Sequence, residues 1–163
     1  MGGREGEELV IANCGLGIAD FGLRIADWHG RVMTRGEFTA RTKRLAIGII
    51  DLVEHLPKGR TADVVGNQLL RCGTSVAANY RSACRARSRR EFIAKMGIVE
   101  EEADESQFWI DVLIERRMVD ETVADGLRRE AGQIVALTVT SIRTARGTPR
   151  SNPQSAIRNP QSS

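Results

Sequence analysis

The chain of 163 residues is poor in the side chains that most enzymes use for chemistry. It holds two histidines, His29 and His55, and neither is paired with a carboxylate at helical spacing. No glycine loop has the pattern that cradles a phosphate, and no nucleophile motif is present. Three cysteines, Cys14, Cys72 and Cys84, lack metal-ligand spacing and are odd in number. Buried free thiols in a reducing cytosol are expected, not a disulfide framework. No apolar run approaches the ~20 residues that a membrane helix needs. Glu5, Glu7 and Glu8 are foreign to the basic start of a signal peptide. A cytoplasmic, non-enzymatic protein is therefore expected, with no cofactor, no metal and no membrane partner. Aromatic residues make up 4% of the chain against 41% hydrophobic, so Leu, Ile, Val and Ala must build the core.

What is present is a repeated apolar stripe at alternating spacings of four and three, the signature of helices that bury one face. Phe38, Thr42, Leu45, Ile49, Leu52 and Leu56 carry it first, in a helix that begins at Thr34 or Glu37 and stops before Pro57 and Gly59. Val65, Leu69, Cys72, Val76, Asn79 and Ala83 repeat it, with Thr61 as the expected N-cap and Asp63 suited to the first turn. Ser88 and Glu91 form a capping box ahead of Phe92, Met96, Val99, Ala103, Ser106, Ile110 and Leu113. Asp120 caps a fourth helix whose inward positions are Val123, Leu127, Ala131, Ile134, Thr138 and Ser141. Arg143 and Arg146 suit its C-terminal dipole, and Gly147 with Pro149 ends it. No segment has the pattern of a strand. Short connections make successive helices antiparallel neighbours. The expected fold is all-α, an antiparallel up-down four-helix bundle over residues 33–146.

The flanks differ from this domain. Cys14–Asp20 and Phe21–Asp27 are two copies of one motif, and Asn-Pro-Gln-Ser occurs at Asn152–Ser155 and again at Asn159–Ser162. With suitable codons, the reverse complement of the second pair translates into a segment close to the first. The flanks are thus expected to be inverted repeat DNA that is translated, with residues 1–32 an extension, Met33 the true start and 147–163 a disordered tail.

Charge is distributed unevenly although the net is only +3. Arg81, Arg85, Arg87, Arg89 and Arg90 follow one another without an intervening acid, and Glu100, Glu101, Glu102, Asp104 and Glu105 without a base. The acidic run lacks the Glu-x-x-His pairs of carboxylate metal bundles. If helices 2 and 3 fold back near Arg85–Arg87, Arg71 lies opposite Glu101 and Asp104, for pairing between helices or between subunits. Asn79, at a seam position, is expected to be a core amide that sets register. Arg89 and Arg90 stand in a first helical turn, where the dipole disfavours cations. With Arg81, Arg85, Arg87 and Lys95 they form a corner that calls for an anionic partner, and nucleic-acid phosphate is favoured over a solvated surface or an acidic protein. Tyr80 is the only aromatic nearby, so little base stacking is expected.

Arg71-Cys-Gly-Thr-Ser-Val-Ala-Ala-Asn79, Ser88-Arg-Arg-Glu-Phe92, Glu101-Glu-Ala-Asp-Glu105 and Trp109 together resemble a known family. It comprises the four-helix bundle proteins encoded by intervening sequences within bacterial 23S ribosomal RNA genes, often labelled S23 ribosomal proteins. The resemblance spans Phe38–Ala145. Related accessory proteins of diversity-generating retroelements form five-fold barrels that bind nucleic acid and a reverse transcriptase. The resemblance therefore implies a homo-oligomer, a pentamer by that analogy, with RNA or DNA and a reverse transcriptase or other protein as partners. The family's Asn-Ile-Ala-Glu-Gly is here Asn79-Tyr-Arg-Ser-Ala83, so whatever that Glu and Gly do is lost or altered. A protein-interaction scaffold without a nucleic-acid role is the alternative.

Overall fold

The computed structural model describes residues 25–26 and 32–147. Within them the chain forms two short strands, β1 (Ile25–Ala26) and β2 (Val32–Met33), and four helices: α1 (Arg35–Glu54), α2 (Arg60–Ala83), α3 (Arg89–Glu115) and α4 (Glu121–Gly147). The helices form the expected antiparallel bundle. The antiparallel β pair aligns Ile25 with Met33 and Ala26 with Val32 and lies beside α4. Two-residue strands are too short to show any alternation, which is why the pattern of the sequence is silent about them. The repeated motifs, and most of the expected extension and tail, lie outside the described residues.

Helix starts follow the capping chemistry closely. Thr34 and Glu37 form a complete capping box: Glu37 N donates to Thr34 Oγ1 at 3.2 Å and Thr34 N donates to Glu37 Oε2 at 2.7 Å. Ser88 Oγ accepts from Glu91 N at 3.1 Å, but the Glu91 carboxylate reaches one residue further back and accepts from Arg87 N at 2.8 Å. Asp120 Oδ1 accepts from Thr122 N at 2.7 Å and so caps α4. Thr61 is not a cap. The helix begins two residues earlier than a Thr61 cap implies, with Gly59 in the cap position and no side-chain hydrogen bond, because nothing in Arg60 resists the helical conformation.

The turn between α3 and α4 closes with the paired hydrogen bonds of a Schellman motif. Met118 N donates to Leu113 O and Arg117 N to Ile114 O, both at 2.9 Å. The motif needs a left-handed residue after the cap, and Arg117 supplies it with φ of 54°. Any side chain costs energy in that conformation, and glycine avoids most of the cost.

The core is the set of four stripes. Phe38, Leu45, Ile49, Leu69, Val76, Phe92, Met96, Ile110, Leu113 and Ile134 are completely enclosed, each contributing about 1.5–3 kcal/mol on the usual burial scale. Cys72 and Cys84 are buried free thiols. Two positions depart from the expected stripe. Val123 is 65% exposed, and Ala124 turns inward in its place. At the end of α2 the inward residue is Tyr80 rather than Asn79, which is only half-buried. Tyr80 packs edge-on against Phe38, with ring centroids 4.4 Å apart.

Small residues let α1 and α2 approach closely. A β-carbon at Gly73 would collide with the side chain of Ile49, which is itself completely buried. The α1–α4 side closes differently, through a part-buried pair in which Arg41 Nε and Nη2 donate to the two Glu130 oxygens at 2.5 and 2.9 Å. Arg41 also donates to Gln133 Oε1.

Two substitutions test this account in opposite directions. Gly73→Ala should destabilise by about 1–3 kcal/mol, because crowding against Ile49 outweighs the better helix propensity of alanine. Arg117→Gly should stabilise by up to about 1 kcal/mol, because it relieves the left-handed residue without removing a described contact. Urea unfolding monitored by circular dichroism measures both.

Candidate nucleic-acid interface

Antiparallel alternation brings the start of α1, the end of α2, the start of α3 and the end of α4 to one end of the bundle. Arg81 lies in the last turn of α2, Arg85 and Arg87 in the connection, and Arg89 and Arg90 in the first turn of α3. Arg81, Arg85, Arg87 and Arg90 are exposed, and no acidic side chain pairs with their guanidinium groups among the described residues. Arg89 is half-buried and engaged in contacts of its own. Lys95 is half-buried about two turns into α3. The fold adds cations that sequence reasoning did not assign to this site: Arg35 at the start of α1, and Arg143 and Arg146 near the end of α4, all exposed. Helix polarity was the available signal for them, since alternating helices place these termini beside the α2–α3 connection.

Among the described residues the acids at this end are Glu37 and Glu91, and both carboxylates are held in helix caps. The dipole effect divides the cations. Arg81, Arg85, Arg143 and Arg146 stand at helix C-termini, where the carbonyl ends favour positive charge, whereas Arg35, Arg89 and Arg90 stand at N-termini, where it is opposed. This second group stands against the local field. A phosphate oxygen among these side chains would relieve that repulsion and accept charge-assisted hydrogen bonds.

Tyr80 offers no base a stacking surface, being completely buried beneath this end. Its hydroxyl meets no hydrogen-bond partner at bonding geometry among the described residues, and burial, with the Cys84 thiol beside it, pushes its pKa far up.

The acidic run on α3 is organised around α2. Arg71 Nη2 donates to both oxygens of Glu105 at 2.6 Å, and Nη1 approaches Glu102 at 3.3 Å. Trp109 Nε1 donates to Glu105 Oε1 at 3.1 Å. Arg71 was expected to meet Glu101 and Asp104, but both of these are exposed. Each residue along a helix rotates by about 100°. Glu102 and Glu105 flank the seam residues Ala103 and Ser106, whereas Glu101 and Asp104 point outward. Fold-back distance alone gave the level along the helix but not the angle around it. Asn79 also differs from expectation: its Nδ2 donates to Ser75 O at 3.0 Å, one turn back in its own helix, rather than across the bundle.

Among the described residues, no group of three or more His, Cys, Asp or Glu is placed to hold a metal ion. No described helix is long and apolar enough to cross a membrane.

The two carboxylates that Arg71 holds respond to pH in opposite senses. The hydrogen bond from Arg71, then that from Trp109, holds Glu105 below its ordinary 4.5, so its contribution is present above that value and lost as pH falls through the lowered pKa. Burial pushes Glu102 above 4.5, with Arg71 opposing, so ionising it costs stability as pH rises through the raised pKa. Thermal melts between pH 7 and pH 3 should therefore show Glu105→Gln less stable than wild type at pH 7, with the gap closing in acid. Glu102→Gln should gain on wild type as pH rises.

Comparison with known proteins places this geometry in context. The family model described as 23S rRNA-intervening sequence protein matches residues 37–140. A crystal structure of a protein of unknown function from the S23 ribosomal protein family of Bacteroides thetaiotaomicron is also similar, at 29% identity and a TM-score of 0.63, covering 68% of this chain and 99% of that one. No curated protein matches the chain.

Proposed function

We propose, from the premise that this chain belongs to the 23S rRNA-intervening sequence protein family, that it is a non-enzymatic bundle that binds nucleic acid through its arginine-rich end. The observation that carries this is the set Arg81, Arg85, Arg87 and Arg90, which are exposed and lack an acidic partner among the described residues. The described acids at this end, Glu37 and Glu91, are occupied by helix caps. Guanidinium groups so arranged suit phosphate oxygens, which accept paired hydrogen bonds from the planar fork. The bound molecule is RNA, or nucleic acid of a retroelement, and the protein acts in the cytoplasm.

The same proposal includes self-association. Ile47 and Ile50 are 47% and 37% exposed on α1, one turn apart on its outer side, and would be covered by a neighbouring copy. A homo-oligomer, pentameric by analogy with the retroelement accessory proteins, would repeat the basic end around a ring and strengthen binding through multivalency. A reverse transcriptase is the protein partner that the analogy offers.

Binding measured by fluorescence anisotropy tests the reading. If the four unpaired arginines each neutralise one phosphate, affinity per protomer should fall with a log–log salt slope of roughly 3 to 4, on the order of 100-fold between 50 and 200 mM salt. Replacing Arg81, Arg85, Arg87 and Arg90 by Glu should abolish binding while helical content is kept. If the wild-type protein binds no nucleic acid at low salt, and the substitutions instead disrupt assembly or capture of an acidic protein, the arginine end belongs to a scaffold.

A further inference from the structure

We infer that the basic end grips the sugar–phosphate backbone of a double helix rather than a single strand, which rests on the nucleic-acid reading above and narrows its ligand. Proteins that hold single strands without sequence preference stack successive bases on exposed aromatic rings, each worth roughly 5- to 150-fold in affinity. Among the described residues, the aromatic rings near the arginines are turned inward: Phe38, Tyr80 and Phe92 are all completely buried. Phe108, 56% exposed, is packed against Trp109 and lies toward the far end of α3. The described surface of the basic end thus offers charge and hydrogen bonding, which a stacked duplex satisfies without presenting its bases.

Two further features favour a duplex. Its charge density is higher, so each neutralised phosphate releases more counterion than on a single strand, with a salt slope of about 0.9 against about 0.7 per contact. The cations also come from several elements. Arg81 lies on α2, Arg85 in the α2–α3 connection and Arg90 on α3, while Arg143 and Arg146 come from the end of α4. Because α3 packs against both α2 and α4, these cations spread across the end of the bundle instead of following one helix. A surface so spread suits the phosphates of two strands better than the single file of one.

The test uses the full chain at about 150 mM salt with three probes of about 20 nucleotides or base pairs: an RNA duplex, a DNA duplex and an unstructured oligouridine. At least one duplex should bind at least about tenfold more tightly than oligouridine, and the two duplex arms identify which helical form is preferred. Arg143→Glu with Arg146→Glu should weaken duplex binding at least about fivefold and change oligouridine binding less, with helical content preserved as the control. A preference below tenfold, or equal losses on both kinds of probe, overturns the inference while leaving nucleic-acid binding intact. Failure of all three probes to bind even at low salt overturns the nucleic-acid reading itself.

Discussion

One constraint organises this molecule: four helices, each with a single apolar stripe, joined by connections too short to cross the bundle. Burial of the stripes forces the helices side by side, and the short connections force them to alternate in direction. The helix ends are then no longer independent. The arginines that close α2, those that open α3 and those that end α4 are brought together because their stripes must meet, not because they attract one another. Apolar burial holds like charges close, and a polarised surface is the result.

The two charged regions of the chain are treated in opposite ways. The acidic run on α3 faces a guanidinium, since Arg71 engages Glu102 and Glu105 and Trp109 braces the latter. Such a network sits at the surface and contributes more to register than to stability. Among the described residues, Arg81, Arg85, Arg87 and Arg90 of the basic run have no equivalent. Its neighbouring carboxylates close helix caps, and pulling them away would leave backbone donors unsatisfied. Repulsion there is tolerated because the side chains are long and exposed and can spread into solvent. A multivalent anion offers compensation that water and salt supply only weakly.

Most of the fold was legible because period and capping are local signals. The stripes from Phe38 to Leu52 and from Phe92 to Leu113 matched burial position by position, and Ser88 and Asp120 are caps as expected. The misses share a physical cause, which is that rotation around a helix is fixed by its neighbours. Asn79 and Tyr80 both lie within reach of the seam, and apolar period alone cannot choose between them. Phe38 decides in favour of Tyr80, whose ring it meets edge-on. Likewise Val123 and Ala124 compete for one inward position, and the smaller residue takes it. Glu102 in place of Glu101 is the same error on a polar face. Arg35, Arg143 and Arg146 needed the three-dimensional alternation before they could be joined to the arginine end.

The departure from the family pattern at Asn79–Ala83 bears on how this end is built. Tyr80 is completely buried, with a hydroxyl that finds no hydrogen-bond acceptor or donor at bonding geometry among the described residues, a loss of about 1–3 kcal/mol against a satisfied group. Ser82 is uncharged and Ala83 is buried, so no carboxylate stands in the turn that carries Arg81 and Arg85. The Tyr80 ring, packed edge-on against Phe38, supports that turn from within. Apolar and aromatic burial, not charge pairing, therefore holds the segment that presents these arginines.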